Sequence, residues 1–415
     1  MTNEEVDALL GAPAVVFGSL PPDNRDLDLL VEAGERQRLI AALVDRGWTM
    51  SGRTAASFAG GTAFAVDVMD LDEWAPSSVA AASLREESVL LAGFEHLHAP
   101  APHHRLLIQA QRHAAGAPLT DARRAVVAGF LAADWDAAEH QADAWHALDA
   151  LRALRVVMTS GDAPSTRVRR LRRPHRRRVI ALSGVDGAGK STHAEHLARA
   201  LDALGYETTT AWTKLTRDPV LDVISGPVKR ALSLVSRHEP APSSSTTDDD
   251  VDEFGEVRHH LDGRPPPPSR ATRVRQGSTV LTWGWSIVVV AANAIAHRRA
   301  TAQPPRVVVC DRYVLDSMAH VRYGYPAARV FGVQRALLRA VSPRPAAAFL
   351  LDVAPEEARR RKPEQYTTSD LTKLRRLYHD EARRLEVVVV DAAADELDVA
   401  ASVARAAWLR LENVR

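Results

Sequence analysis

RVIALSGVDGAGKST, residues 178–192, decides how the second half of this chain is read. The apolar run Val179 to Leu182 reads as a buried strand, and Gly184 to Ser191 satisfies G-x-x-x-x-G-K-[ST] with no mismatch. Downstream, Ala194, Leu197, Ala198, Leu201 and Leu204 fall on one helical face before Gly205. Strand, glycine-rich loop and helix therefore occur in the order a phosphate-binding loop needs. Glycines let backbone amides approach phosphate oxygens, and the helix N-terminus adds partial positive charge for the anion. The nucleotide-binding set is then Gly184, Asp186, Gly187, Ala188, Gly189, Lys190, Ser191 and Thr192. Lys190 is expected to reach the β- and γ-phosphates of a nucleoside triphosphate, and Ser191 is the expected hydroxyl ligand of Mg²⁺.

Working outward, Arg306 to Tyr313 reads RVVVCDRY, a buried strand ending in a carboxylate and a guanidinium. An open parallel sheet places its site at such strand ends. Asp311 is expected in the magnesium shell and Arg312 against phosphate. Further strands are expected at 206–212, 347–353 and 387–391, which gives an α/β domain over 179–415 with a parallel sheet flanked by helices. Thr279 to Ala296 is uncharged and long enough to approach a membrane span, but Thr282, Ser286 and Asn293 favour a buried core helix, so no membrane is expected.

At 415 residues the chain is too long for one ordinary core, and its 46% apolar and 25% charged residues suit more than one globular domain. A net charge of +1 gives no global pull toward nucleic acid or membrane. One cysteine, Cys310, excludes an internal disulfide, and the N-terminus lacks the basic start and apolar run of a secretion signal, so a cytoplasmic protein is expected. Residues 1–102 read as a small α/β domain, with strands at Ala14 to Phe17, Leu27 to Val31 and Ala63 to Met69 and a helix from Glu35 to Arg46. Residues 103–160 read as a helical appendage carrying Leu106, Leu107, Ala110, Val126, Val127, Phe130, Leu131, Leu148, Leu151 and Leu154 at helical spacings. An arginine-rich linker spans 161–178. An acidic and proline-rich insertion covers about 237–276 and cannot bury a core.

The C-terminal motifs together resemble the thymidylate kinase family, with DGxGKST at Asp186 to Thr192 and the strand-ending DRY at Asp311 to Tyr313. Ser317, the turn Thr216-Arg217-Asp218-Pro219 and the stretch Leu351 to Ala358 extend the resemblance over 179–415. It implies an ATP- and Mg²⁺-dependent transfer to a nucleoside monophosphate such as dTMP. Asp186 would face the acceptor sugar, and Arg312, Arg217 and Tyr313 would line the acceptor side. Arg359, Arg360, Arg361 and Lys362 resemble that family's mobile basic lid, with Arg360 and Arg361 supplying transition-state charge. The run suits a solvated helix face equally. Two departures concern the acceptor. The helix before the DRY strand offers Ala291, Ala292, Asn293 and Ala294 where the family places a base-reading arginine, and the insertion enlarges the neighbouring region.

In the first domain, Gly18-Ser19 follows a strand, and Asp26-x-Asp28 lies on the next with both carboxylates on one face. With Asp67 they can hold paired Mg²⁺ ions about a triphosphate, while Ser19 and adjacent amides hold the outgoing phosphates. This resembles the nucleotidyltransferase fold over residues 13–100. A purely binding domain stands beside the active reading. His103, His104 and His113 have no carboxylate or cysteine partner at metal-ligand spacing, and no zinc site is expected.

Arg167 to Arg178 holds eight arginines in twelve positions. It reads first as a solvated linker, with nucleic-acid phosphates the other partner its density suits. A homodimer is an open assembly. Three functions stay in play: a nucleotide kinase, a kinase of another small acceptor such as a sugar or specialised metabolite, and a regulatory ATP-binding module.

Overall fold

The computed structural model describes residues 2–18, 20–21, 26–117, 119–160, 178–213, 279–302, 307–363 and 366–413. Ser19, Arg217, the linker residues 161–177 and the insertion 237–276 lie outside them. The chain is α/β and divides into two compact units, Met1–Ser57 with Ala63–His175, and Phe58–Thr62 with Arg176–Arg415.

The first unit runs α1 (Asn3–Asp7), β1 (Ala14–Val16), β2 (Asp26–Val31), α2 (Ala33–Asp45), β3 (Thr49–Ser51), β4 (Thr54–Ala59), β5 (Thr62–Asp70), α3 (Leu71–Trp74), α4 (Ser78–Glu86), β6 (Val89–Leu90), β7 (Leu97–Ala99), α5 (Pro102–Ala114), α6 (Asp121–Ala128), α7 (Ala132–Gln141) and α8 (Leu148–Ser160). Its sheet has the order β3-β4-β5-β2-β1-β7-β6 and is mixed. β2 runs parallel to β5 and antiparallel to β1, and β1 runs parallel to β7. Strand alternation gives the sheet two cores. Leu27, Leu29 and Val31 join the core containing α1 and α2 residues, while Val15 and Leu30 join one formed with α3 to α8. The helices after residue 102 pack against one face of this sheet. Val126 and Leu131, expected among the apolar helix positions, are exposed. Leu131 caps α7 from outside the helix, and Val126 neighbours the buried Val127 a third of a turn away.

The second unit contains β8 (Arg178–Ser183), α9 (Lys190–Ala203), β9 (Thr208–Trp212), α10 (Thr279–Ala300), β10 (Val307–Asp311), α11 (Val314–Gly324), a 3₁₀ turn (Pro326–Ala328), α12 (Gly332–Val341), β11 (Ala347–Asp352), α13 (Pro355–Arg361), α14 (Thr368–Leu385), β12 (Val388–Asp391) and α15 (Glu396–Glu412). Its strands pair in the order β12-β11-β8-β10-β9, every pairing parallel. The chain leaves β8 toward β9 and β10 on one side, then crosses to β11 and β12 on the other. The carboxyl end of β8 therefore lies at the reversal point, where an open sheet leaves a crevice. Val307 to Cys310, apolar at every position, is buried on both faces as a central parallel strand must be.

Helix α10 is long and apolar enough to cross a membrane by length and composition. It packs on α11 and α12 and buries Thr282, Ser286, Val289, Val290, Ala292, Asn293, Ala294 and His297. Its buried polar groups are partly satisfied there: Gln334 Nε2 donates to Ser286 Oγ at 2.8 Å, and His297 Nδ1 lies 3.0 Å from Ser342 Oγ. Glu381 of α14 is fully buried and ties three helices, accepting from Arg322 of α11 at 2.8 Å and from Arg335 of α12 at 2.7 and 2.8 Å.

Removing one partner from such a buried ion network leaves charge uncompensated. Glu381→Ala is expected to destabilise the second unit by roughly 3 kcal/mol, seen as a lower urea midpoint. An unchanged midpoint would show that α11, α12 and α14 do not depend on this carboxylate.

Candidate functional site

At the reversal point the chain leaves β8 through six residues, 184–189, before α9 begins at Lys190. Gly184 and Gly187 have φ of +154° and +89°. A Cβ at Gly184 would stand 2.6 Å from Leu351 O, and one at Gly187 would collide with the Ala358 carbonyl. The bare backbone at Gly187 is what lets α13 lie against the loop, and this brings the arginines of α13 to it.

Lys190 is buried, and its ammonium donates to Gly184 O and Val185 O, both at 2.9 Å, and to Asp186 Oδ1 at 3.3 Å. Arg312 Nη2 donates to the same Asp186 oxygen. Burial would raise the Asp186 pKa, but Lys190 and then Arg312 hold it well below the usual carboxylate range, so the group is ionised. Arg312 has φ +74°, a left-handed conformation that costs any residue with a Cβ energy and persists only where surroundings impose it. Here its N–H donates to Leu182 O at 2.9 Å and its side chain is fixed by Asp186, with His320 Nε2 3.4 Å from Nη1.

At the end of β10, Asp311 is buried, and its Oδ2 accepts from Ser191 Oγ at 2.5 Å. Its Oδ1 is buried with no hydrogen-bond partner among the described residues. A serine hydroxyl beside a carboxylate with an open oxygen is an all-oxygen donor set that suits a hard divalent cation such as Mg²⁺.

These groups share a cavity of about 880 Å³. Asp186, Gly187, Gly189, Lys190, Ser191 and Thr192 form one wall, Asp311 and Arg312 another, and Arg360, Arg361 and Lys362 a third. Gly184 and the buried Ala188 belong to the same loop but do not line the cavity. Arg360 donates to Glu357 at 2.7 and 2.8 Å and Arg361 at 2.7 Å, which lowers Glu357 to about 2. Tyr313 does not join the site: it is buried, its ring lies 4.4 Å from that of His297, and its hydroxyl donates to Pro343 O at 2.8 Å. The expected acceptor-side contact is instead part of the core.

Two contributors escape a sequence reading. Trp212, the last residue of β9, lines the cavity and is 59% exposed. An aromatic side chain ending a parallel strand is the signal that would have found it. Asp316 receives Tyr313 N at 2.8 Å, Tyr378 O–H at 2.8 Å and Gly184 N at 3.4 Å, tying the start of the loop to α11 and α14. No local pattern marks it.

In the first unit, parallel pairing sets Asp28 opposite Asp67, and one oxygen each of Asp26, Asp28 and Asp67 lies within 4.8 Å of the others. Asp67 accepts from Thr54 Oγ1 and, at 3.2 Å, from Arg53 Nε. Gly18 follows β1 at φ +121°. Arg112 of α5 lies 5.0 Å from the Phe17 ring centroid, next to the strand position that faces Asp28. Burial, then the charges of Asp26 and Asp67, push Asp28 up to about 7, with Arg53 and Arg112 acting against the rise. His103 and His104 are not the partnerless helix residues expected: Glu87 Oε2 lies 3.0 Å from His103 Nε2, and His104 joins a hydrogen-bonded group at the end of α4.

A scan against protein-family models finds no match, and a search of curated proteins finds none.

Because Asp28 sits near 3.8 when unfolded and about 7 when folded, the native state binds the extra proton and stability falls as pH rises between these values. Asp28→Asn is expected to raise the melting temperature at pH 8 and change it little at pH 4. Equal shifts at both pH values would remove the buried charge as the cause.

Proposed function

We propose that the second unit is a thymidylate-kinase-like P-loop enzyme that moves the γ-phosphoryl group of ATP to a nucleoside monophosphate, dTMP or a close analogue. The observation that carries this is the convergence of Lys190, Ser191, Asp311, Arg312, Arg360 and Arg361 on one cavity at the reversal point of a parallel sheet. Its volume suits a nucleotide-sized ligand.

The loop amides from Gly187 to Thr192 and the N-terminus of α9 cradle the donor phosphates, and Lys190 pairs with the β- and γ-phosphates. Ser191 and Asp311 hold Mg²⁺, which when bound neutralises phosphate oxygens and draws electron density toward the leaving group. Arg312 receives the acceptor phosphate. Asp186, in contact with both Lys190 and Arg312, lies where donor and acceptor sides meet. An acceptor phosphate oxygen attacks the γ-phosphorus, the bond to the β–γ bridging oxygen breaks, and ADP departs with that electron pair. Arg360 and Arg361 offset charge on the transferring group, so catalysis rests on positioning and electrostatics.

A second acceptor class is favoured by one observation. Helix α10 presents Ala291, Ala292, Asn293 and Ala294 where a thymine-reading arginine would stand, and Asn293 is wholly buried. A sugar or specialised metabolite bearing a hydroxyl or phosphate would use the same donor site.

Full-length protein with ATP, Mg²⁺ and a panel of nucleoside monophosphates and small hydroxyl acceptors is expected to yield ADP and dTDP in equal amounts. Lys190→Ala should slow this at least about a hundredfold. Turnover with a non-nucleotide acceptor alone would move the assignment to the second class, and tight ATP binding with no acceptor-dependent turnover would leave a nucleotide-sensing module.

Glu357 occupies both lid guanidinium groups and is ionised at any assay pH. Glu357→Gln should therefore lower the KM for ATP severalfold in steady-state kinetics. A KM that rises instead would mean that Glu357 orients those arginines rather than competing for them.

A further inference from the structure

A second polar cluster in the first unit shares no residue with the carboxylate triad and plays no part in the proposed phosphoryl transfer. Ser83 and Glu87 come from the end of α4, His103 and His104 from the first turn of α5, and Gln141 from the last position of α7. Five contacts join four of them. Ser83 Oγ lies 2.9 Å from Glu87 Oε1, 2.8 Å from His104 Nε2 and 2.7 Å from Gln141 Oε1. His104 Nε2 lies 2.8 Å from Gln141 Oε1, and Gln141 Nε2 lies 2.9 Å from Glu87 Oε1.

Counting protons shows what this arrangement lacks. Ser83 has one, a neutral His104 supplies at most one at Nε2, and the Gln141 amide directs one at Glu87. Three protons serve five contacts, so two pairs of lone pairs face each other at hydrogen-bonding distance. Inverting the Gln141 amide would set its oxygen against the Glu87 carboxylate and again leave two of the five contacts without a proton. A second proton on His104 would go to Nδ1, which is buried without a hydrogen-bond partner among the described residues. A sixth approach, His103 Nε2 to Glu87 Oε2 at 3.0 Å, lacks hydrogen-bond geometry. Converging lone pairs that outnumber protons suit a bound cation.

We propose that Glu87, His103 and His104 ligate a divalent cation of the borderline class, Zn²⁺ foremost, with Gln141 and Ser83 beside it. One ligand atom from each of the three already lies within 4.8 Å of the others. Two ligands about 2.1 Å from a tetrahedral ion stand roughly 3.4 Å apart, and the Glu87–His103 separation of 3.0 Å is close to that. Two imidazoles with a carboxylate select zinc-like ions over magnesium. The ion fastens α4 and α5, with the last residue of α7 alongside, and solvent reaches it from the side of Glu87, whose side chain is 44% exposed.

The test uses the full-length, tag-free chain stripped with chelator, titrated with Zn²⁺ by calorimetry and with Co²⁺ by visible absorption. One ion per chain is expected, with imidazole-type Co²⁺ bands and a melting temperature raised by Zn²⁺. Glu87→Gln and His103→Gln should each weaken binding at least tenfold. Glu87 is exposed enough that its variant folds even if His103→Gln does not. The proposal is overturned if the wild-type chain binds neither ion, if Glu87→Gln binds as tightly as wild type, or if Asp28→Asn abolishes binding that Glu87→Gln retains.

Discussion

One buried carboxylate governs the geometry of the second unit. Asp186 is removed from water and must be paired, and both of its partners are cations drawn from different elements, Lys190 from the start of α9 and Arg312 from the end of β10. Satisfying it curls the loop until the lysine ammonium also meets Gly184 O and Val185 O, and it keeps Arg312 in a left-handed conformation. Asp316 braces the same loop from behind through the Gly184 amide while accepting from Tyr378. Charge pairing, backbone strain and helix packing thus point to one arrangement, as expected where a site is built on rigid elements.

The remaining wall of the cavity depends on an absence of side chain. With no Cβ at Gly187, the backbone of α13 comes against the loop at Ala358, and one helical turn later Arg360, Arg361 and Lys362 face Lys190 and Ser191 across the cavity. The basic run could as well have been a solvated face. Its place beside the loop comes from this close approach, and Glu357 in turn holds two of its guanidinium groups in paired geometry.

The first unit meets buried polarity in two other ways. In the carboxylate triad, Asp67 has Arg53 and Thr54, while Asp28 is left with like charges on either side and a raised pKa. In the Ser83–Glu87–His104–Gln141 group no net repulsion of charge arises, but lone pairs outnumber protons. Both follow from side chains converging from separate strands or helices, where each element alone would leave its polar group in water.

Much of this was legible in sequence. The buried strands at 178–183 and 307–310, the glycine-rich turn, the helix from Lys190 and the same-face placement of Asp26 and Asp28 follow from side-chain period and residue type, which act over a few neighbours. The short strands of residues 49–59 were missed because small residues and glycines give no periodic apolar signal. Tyr313 was misplaced because a DRY run fixes where its backbone ends a strand, whereas the direction of the tyrosine depends on His297 and Pro343, distant in sequence. Asp316 and the pairing of Glu87 with His103 were invisible for the same reason. By itself the sequence determined the elements and the local chemistry of the loop, because those rest on interactions between near neighbours. Only tertiary structure decided that Arg312 meets Asp186, which arginines lie beside the loop and that His103 meets Glu87, because those contacts close over 16 residues of chain (Glu87 to His103) up to 171 (Gly187 to Ala358).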